Sequence, residues 1–266
     1  MDSKARIIAF AGSKQSGKST CLKFLHGLQL KMYGVVNDFS ITDTGDLIVN
    51  LRVEDDKGKV SVQDVILDVY SEDPEFVEWA SSMMYPFVKR YSFAAPLKSM
   101  ASTLFGIPEE CCNGTDEQKN QIQEHLLWEN MPGMELKIDH QLQETGPMTA
   151  REFLQYFGTD IMRSIKDSVW VDLCINSILY NPPLMAVIDD CRFPNEVEAV
   201  QKAGGIVVGL TRSPHKDEHA SETSIRKSWD SLDYVLDNAN MNIRETCDAV
   251  ATCLVEAGWV EKVGDK

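Results

Sequence analysis

Short apolar runs alternate along the chain with segments of helical period, and turn residues separate them. Arg6-Ile7-Ile8-Ala9-Phe10 reads as a buried strand, and residues 20–32 follow as a helix that Gly34 stops. A second core strand is expected over 87–93, then a helix that starts at Pro96 and stops at Gly106. Thr149-Ala150-Arg151-Glu152 is a capping box, in which the Thr hydroxyl and the Glu carboxylate each satisfy a free N–H. The helix it opens should bury Phe153, Leu154, Phe157 and Ile161. A further helix is expected over 168–179, ended by Asn181-Pro182-Pro183. Leu184-Met185-Ala186-Val187-Ile188 is continuously apolar, as in a strand covered on both faces. A helix over 195–203, strands over 206–210 and 234–236, and a closing helix over 242–257 complete the pattern. Such alternation predicts an α/β fold: a three-layer αβα sandwich around a parallel sheet of about five strands.

One stretch breaks this rhythm. Residues 46–53 alternate and are β-branched, 54–59 form an acidic turn, and 60–69 alternate again, which is the pattern of a β-hairpin. With a short helix over 72–84, it forms an insertion spanning 35–90. Its acidic turn reads as a solvated tip rather than a metal site. Residues 112–148 are polar, carry Gly and Pro, and are expected to be mostly loop with some helix.

The first strand and helix are joined by Gly12-Ser13-Lys14-Gln15-Ser16-Gly17-Lys18-Ser19, followed by Thr20. This matches the phosphate loop G-x-x-x-x-G-K-[ST] in strand–loop–helix context. The glycines allow a tight wrap, so backbone N–H groups and the helix N-terminus can face phosphate oxygens. Lys18 can reach the β- and γ-phosphates, and the Ser19 hydroxyl can ligate Mg²⁺.

Charge changes the picture next. The net charge of −15 argues against a general nucleic-acid binder, which needs a basic surface. An anionic nucleotide must then meet a local island of Lys and Arg. The seven cysteines show no C-x-x-C pair, so free thiols in a reducing cytoplasm are expected. No signal peptide or membrane-spanning apolar run is visible.

Several residues fall where a parallel sheet places its ligands, beyond the carboxyl ends of its strands. Asp189 and Asp190 end a core strand, where a carboxylate can hold the water shell of Mg²⁺. Arg192 either binds an acceptor phosphate in bidentate fashion or pairs with Glu196 one turn away. Arg151 stands in the first turn of its helix against the macrodipole, and is either a phosphate ligand or a solvated residue. Arg163, near Asp160, reads as structural. Trp170 reads as core packing, with base stacking as the alternative. The stretch 211–230 holds Arg212, His215, Lys216, His219, Arg226 and Lys227, the only dense cationic run. It reads as a lid over nucleotide phosphates or as a solvated loop. His215 and His219 lack the further ligands that a zinc site needs.

Taken in order, the motifs resemble the deoxynucleoside monophosphate kinases of tailed bacteriophages. They are the phosphate loop; Phe93-Ala94-Ala95-Pro96-Leu97-Lys98; Gly114-Thr115-Asp116-Glu117-Gln118-Lys119-Asn120; Thr149 to Gln155 running into Gly158-Thr159-Asp160; Asp190-Cys191-Arg192-Phe193-Pro194-Asn195-Glu196; Glu218-His219-Ala220-Ser221-Glu222; and Asp237-Asn238. The resemblance covers nearly the whole chain apart from the hairpin. It implies a single nucleotide-kinase domain over 1–266, with 211–230 as a lid-like loop. It implies transfer of the ATP γ-phosphoryl group, with Mg²⁺, to a deoxynucleoside monophosphate, to supply precursors for DNA synthesis in a host cytoplasm. Gly12, Ser13, Lys14, Gln15, Ser16, Gly17, Lys18, Ser19, Thr20 and Arg212 would serve ATP, and Ser19 and Asp190 the metal. Lys18, Arg151, Arg192, Glu196 and Asp190 would act on the transferring phosphate. Phe93, Lys98, Arg151, Trp170 and Arg192 would bind the acceptor. The resemblance also implies a homodimer and no direct contact with nucleic acid or membrane. The chain departs from many phage relatives in carrying Ser19, rather than Asp, after the loop lysine. Another small-molecule kinase of this fold, or a non-catalytic nucleotide-binding protein, stays open as an alternative.

Overall fold

The computed structural model describes residues 6–54, 58, 60–133, 145–213 and 229–260. The chain divides into two compact units, Met1–Ser92 with Ile175–Lys266, and Phe93–Cys174.

The first unit opens with β1 (Arg6–Gly12) and α1 (Lys18–Met32), then β2 (Phe39–Ile41), β3 (Leu47–Glu54) and β4 (Val60–Leu67). It continues through α2 (Pro74–Met83) to β5 (Val88–Tyr91). The second unit holds α3 (Ala95–Phe105), α4 (Glu109–Asn113), α5 (Asp116–Lys119), β6 (Ile122–Leu127), β7 (Pro147–Thr149) and α6 (Ala150–Gln155). A π-helical segment, Tyr156–Arg163, leads on to α7 (Val169–Tyr180), in which the boundary between the units falls. The chain then completes the first unit with β8 (Met185–Cys191), α8 (Pro194–Lys202), β9 (Ile206–Leu210), β10 (Tyr234–Leu236) and α9 (Ile243–Glu256).

The main sheet has the order β10-β9-β1-β8-β5, and every pairing is parallel. Successive residues of β1 point to opposite faces, yet Ile7, Ile8, Ala9 and Phe10 are all fully buried. Both faces are therefore covered, which is why the strand reads as an unbroken apolar run. On one face Ile8, Phe10, Val187 and Val208 pack with Cys21, Leu22 and Leu25 of α1 and Val250 and Leu254 of α9. On the other, α8 lies against β1 and β9 through Val197 and Val200. This is the expected three-layer sandwich.

Three elements differ from expectation. The hairpin is a three-stranded antiparallel sheet, β2-β3-β4, because Phe39–Ile41 pairs with β3; three residues are too few to carry a periodic signal. The core strand β8 extends to Cys191, so Asp189 and Asp190 lie within it rather than beyond it. Residues 112–148, expected to be mostly loop, contribute β6, which pairs antiparallel with β7.

In the second unit the capping box of α6 is present: Thr149 N donates to Glu152 Oε2 at 2.7 Å, and Glu152 N to Thr149 Oγ1 at 3.2 Å. Phe153 and Phe157 stack in a core with Phe105, Ile107 and Met148. The α-helix does not continue past Gln155 but widens into the π-helical segment. There Leu97 closes over Gly158, and the Trp170 indole N–H takes the Gly158 carbonyl at 3.0 Å. A side chain that captures a ladder carbonyl is a recognised cause of such irregularity.

Among the described residues no helix is long and apolar enough to cross a membrane, and all seven cysteines are buried and outside any disulfide.

Candidate active site

The site is built from the carboxyl end of β1. Gly12 has φ +148°, and a Cβ there would stand 2.7 Å from the Leu210 carbonyl and 2.8 Å from Ser16 Oγ. Only glycine lets the chain turn this tightly against β9. Gln15 also takes a positive φ, so the loop is wound for a purpose beyond joining two elements. Ser13 and Ser16 are buried, whereas Lys14, Gln15 and Ser19 are exposed. Lys18 folds back across the loop, and its Nζ donates to Gly12 O at 2.8 Å, Ser13 O at 2.6 Å and Ser16 Oγ at 3.4 Å. A cation is thus held in the curve of a glycine-wrapped loop at a helix N-terminus, where phosphate oxygens are best received.

Asn238, fully buried after β10, fixes the loop from behind. Its Nδ2 donates to Ser16 O at 2.8 Å, and its Oδ1 accepts from Arg212 N at 2.9 Å. The Arg212 guanidinium is anchored on the Asn238 and Met241 carbonyls. A cavity of about 330 Å³ opens in front of the loop, lined by Gln15 to Thr20, Asp43, Thr44, Arg212, Asn238, Ile243 and Thr246. Arg212 and the phosphate loop are therefore brought together as expected. The rest of the cationic run, including His215, Lys216, His219, Arg226 and Lys227, and the Glu218 to Glu222 motif, lies outside the described residues.

At the end of β8 the two carboxylates have different partners. Asp190 Oδ2 accepts from Ser92 Oγ at 2.6 Å. Asp189 is buried, and its Oδ2 accepts from Arg90 Nε and Tyr70 Oη, both at 2.9 Å. Burial works against the Arg90 charge, but the facing carboxylate outweighs it and raises the guanidinium above its ordinary value. Burial, then the Asp189 charge, push the Tyr70 phenol well up, so it stays a neutral donor, and it also hydrogen-bonds with Ser19. Asp189 Oδ1 is buried without a partner among the described residues. An unsatisfied buried carboxylate oxygen, a second carboxylate and a nearby hydroxyl are hard oxygen donors of the kind Mg²⁺ takes, so the residues present fit that ion.

Glu196 does not pair with Arg192. It is 2% exposed, and its Oε2 accepts from Arg192 N at 2.7 Å and Phe193 N at 3.0 Å. It shapes the turn into α8 by satisfying free backbone donors. The Arg192 side chain is exposed, and among the described residues its guanidinium makes no ion pair.

In the second unit, Arg151 pairs with Asp116 at the start of α5, at 2.6 Å, while its Nε is buried without a partner among the described residues. The cation placed against its helix dipole thus has a carboxylate neighbour. Phe93 is buried and Lys98 half-buried. Trp170 is buried in the core of this unit, which answers its two readings in favour of packing over base stacking.

Arg90 and Tyr70 carry no role in the sequence reading, and Asp189 enters it only as one of two strand-end carboxylates that could serve Mg²⁺. Asn238 has a signal there, in Asp237-Asn238, but no role.

The sequence model for deoxynucleotide monophosphate kinase matches residues 100–245, a segment that begins after the phosphate loop and includes Arg151, Asp190, Arg192 and Glu196. A putative deoxynucleotide monophosphate kinase of Acanthamoeba polyphaga mimivirus is 31% identical over 180 residues, covering 62% of this chain and 82% of the relative. The deoxynucleoside-5'-monophosphate kinase of Escherichia phage T5 is 22% identical over 251 residues, covering 76% of this chain and 96% of the relative. On the family match and the mimivirus similarity, this chain belongs to the deoxynucleotide monophosphate kinase family.

Proposed function

We propose that this chain transfers the γ-phosphoryl group of ATP to a deoxynucleoside monophosphate, giving ADP and the deoxynucleoside diphosphate. The observation that carries this reading is the Lys18 ammonium held inside the glycine-wrapped loop, in a chain of this family. Gly12 to Thr20 would receive the donor phosphates, with Arg212 lining the same cavity. Phosphoryl transfer is largely a matter of alignment and charge neutralisation. Lys18 would meet the β- and γ-phosphates, and the exposed Arg192 would hold the acceptor phosphate in a fork. Arg151 is assigned to the acceptor by its motif, and Phe93 and Lys98 to the nucleoside. An acceptor phosphate is already anionic, so no strong general base is required of the protein. Mg²⁺, when bound, neutralises charge on the transferring group; Ser19 and Asp190 would hold it, with Asp189 beside them. Glu196 serves by keeping the Arg192 backbone in place.

The test is ADP release with ATP and Mg²⁺ across a panel of deoxy- and ribonucleoside monophosphates, including modified deoxyuridylates. Acceptor-dependent release with a deoxynucleotide is the expected result. ATP binding without release on any monophosphate would overturn the reading and leave a nucleotide-binding protein.

A further inference from the structure

The motif from Gly114 to Asn120 lies wholly in the second unit and carries none of the roles assigned above, yet it is firmly built. A Cβ at Gly114 would overlap the Glu110 carbonyl and the Gln118 side chain, so the chain leaves α4 closely packed. Thr115 and Gln118 form a second capping box: Thr115 N donates to Gln118 Oε1 at 2.8 Å, and Gln118 N to Thr115 Oγ1 at 3.3 Å. The end of α5 is tied to the start of α6, because Ala150 N donates to Gln121 O at 3.2 Å and Ile122 pairs with Thr149. This frame sets two carboxylates at the start of α5. Glu117 takes its own backbone N–H and the Thr115 hydroxyl. Asp116 instead accepts from Arg151 Nη2 at 2.6 Å.

Stability does not account for this pair. The side chains of Arg151 and Asp116 are 37% and 52% exposed, and an ion pair so exposed adds little to folding. Against that small gain, Arg151 stands in the first turn of α6, where free N–H groups disfavour a cation. Its Nε is also buried without a partner among the described residues. A solvated arginine would escape both costs. What the pair does supply is orientation. A guanidinium carries five donors in one plane. Asp116 takes one of them, and among the described residues no other side-chain partner of Arg151 is present. The plane is thus fixed while other donors stay open to a second anion. Fixing a long side chain before the reaction removes its ordering cost from the barrier.

We propose that Asp116 is a positioning residue for the acceptor phosphate: it sets the plane of the Arg151 guanidinium, so that Arg151 meets the monophosphate already aligned. This rests on the reading of Arg151 as an acceptor ligand. The carboxylate itself repels phosphate and offsets the Arg151 charge, so it serves alignment at the expense of affinity.

The test is steady-state ADP release by the full chain with ATP, Mg²⁺ and the deoxynucleoside monophosphate that is turned over fastest. Wild type is compared with Asp116→Asn, Asp116→Ala, Arg151→Ala and the double alanine variant. Both Asp116 variants should keep the wild-type melting temperature, because the capping box does not use this side chain. Asp116→Ala should lower kcat about tenfold through lost alignment, with the KM for the monophosphate unchanged or reduced. Asp116→Asn keeps an acceptor oxygen and should stay within about threefold of wild type. With Arg151 already replaced by alanine, Asp116→Ala should change kcat by less than about twofold, since the two residues act as one unit. Wild-type kcat in Asp116→Ala, or the same fold loss in the absence of Arg151, would overturn the proposal and leave the kinase reading intact. A fall in melting temperature with loss in both backgrounds would make Asp116 structural and overturn it too. An asparagine no better than alanine would make charge rather than alignment the operative property, with the same consequence. Near-normal turnover by Arg151→Ala would take Arg151 off the acceptor, and this proposal with it. If no monophosphate stimulates release by the wild type, the kinase reading itself falls and carries the proposal down.

Discussion

The first unit contains two sheets built on opposite principles. The parallel sheet is covered on both faces, and β1 has fully buried residues along its length. The antiparallel sheet of the insertion differs between its faces: Leu47 and Val49 of β3 are buried against α1, while Val60, Val62 and Ile66, on the other face of β4, are exposed. The parallel sheet gives rigidity to Gly12, Asp189 and Asp190. Among the described residues the insertion reaches the chemistry at two points. One is the turn seated on Thr20 and Lys23, and the other is Tyr70, which follows β4 and holds Asp189. Helix α1 lies between the two sheets and carries the phosphate loop at its start. A site fixed by a buried sheet can thus be trimmed by a half-exposed one, and the two contributions separate by mutation.

The largest effect should come from the rigid side. Lys18→Ala removes the cation in the loop and should lower acceptor-dependent ADP release by about 10²–10³-fold or more, the range for losing one preorganised electrostatic group. Unfolding free energy should change little, since the ammonium mainly contacts backbone oxygens of its own loop. Turnover within a few-fold of wild type would remove the loop from catalysis. Arg192→Ala should follow at about 10²-fold. Its guanidinium is exposed and supports no other described residue, so circular dichroism and melting should be unchanged. A folded variant with normal turnover would return Arg192 to the surface.

The next effect tests the layer between the sheets. His26 of α1 is buried, and its Nδ1 has no partner among the described residues. Burial first, and the Arg90 charge second, lower its pKa from 6.5 to about 4. The neutral ring is therefore the form that fits. The stability it contributes is fully present above pH 6.5 and is lost as pH falls from there through 4. The expected loss is about 3 kcal/mol at the acid end. Urea unfolding at pH 7 and pH 4 should show His26→Leu losing that much less than wild type over the same interval. Equal losses would mean that the ring is not excluded from its charged form in the folded protein.

What the sequence made legible was whatever lies close together along the chain. The phosphate loop packs its glycines, lysine and hydroxyl into consecutive residues, and the spacing itself is the chemistry. The parallel strands announce themselves as apolar runs because both of their faces are buried. The capping box of Thr149 and Glu152 is likewise a local event. What stayed hidden depends on distant partners. Arg90 and Tyr70 meet Asp189 from 99 and 119 positions away, and Arg151 meets Asp116 from 35. Glu196 lies at the spacing of an ion pair with Arg192, yet the turn into α8 leaves backbone N–H groups free, and these take the carboxylate instead. Asp43 gives no signal of its own, since an aspartate in a turn is ordinary; only the seat of that turn on Thr20 brings it to the cavity.

The smallest effect probes how the insertion sits on α1, and its sign is the informative part. Gly27 is buried in the middle of the helix. On an open helix face, Gly→Ala stabilises by about 1 kcal/mol, because alanine has less backbone freedom to lose. Here a Cβ would stand 2.3 Å from Cδ2 of Phe39 and 2.8 Å from its Cγ, so the ring and its strand would have to move. Overpacking of this kind costs about 1–3 kcal/mol. The clash should exceed the helix gain and leave Gly27→Ala less stable by about 1 kcal/mol. Phe39 begins β2, and β2 ends one residue before the turn that presents Asp43. The same variant should therefore weaken nucleotide binding slightly, while Gly27→Ala combined with Phe39→Leu should recover stability. A stabilised single variant would show that β2 yields without cost. The turn beside Thr20 would then be a flexible edge rather than a wall.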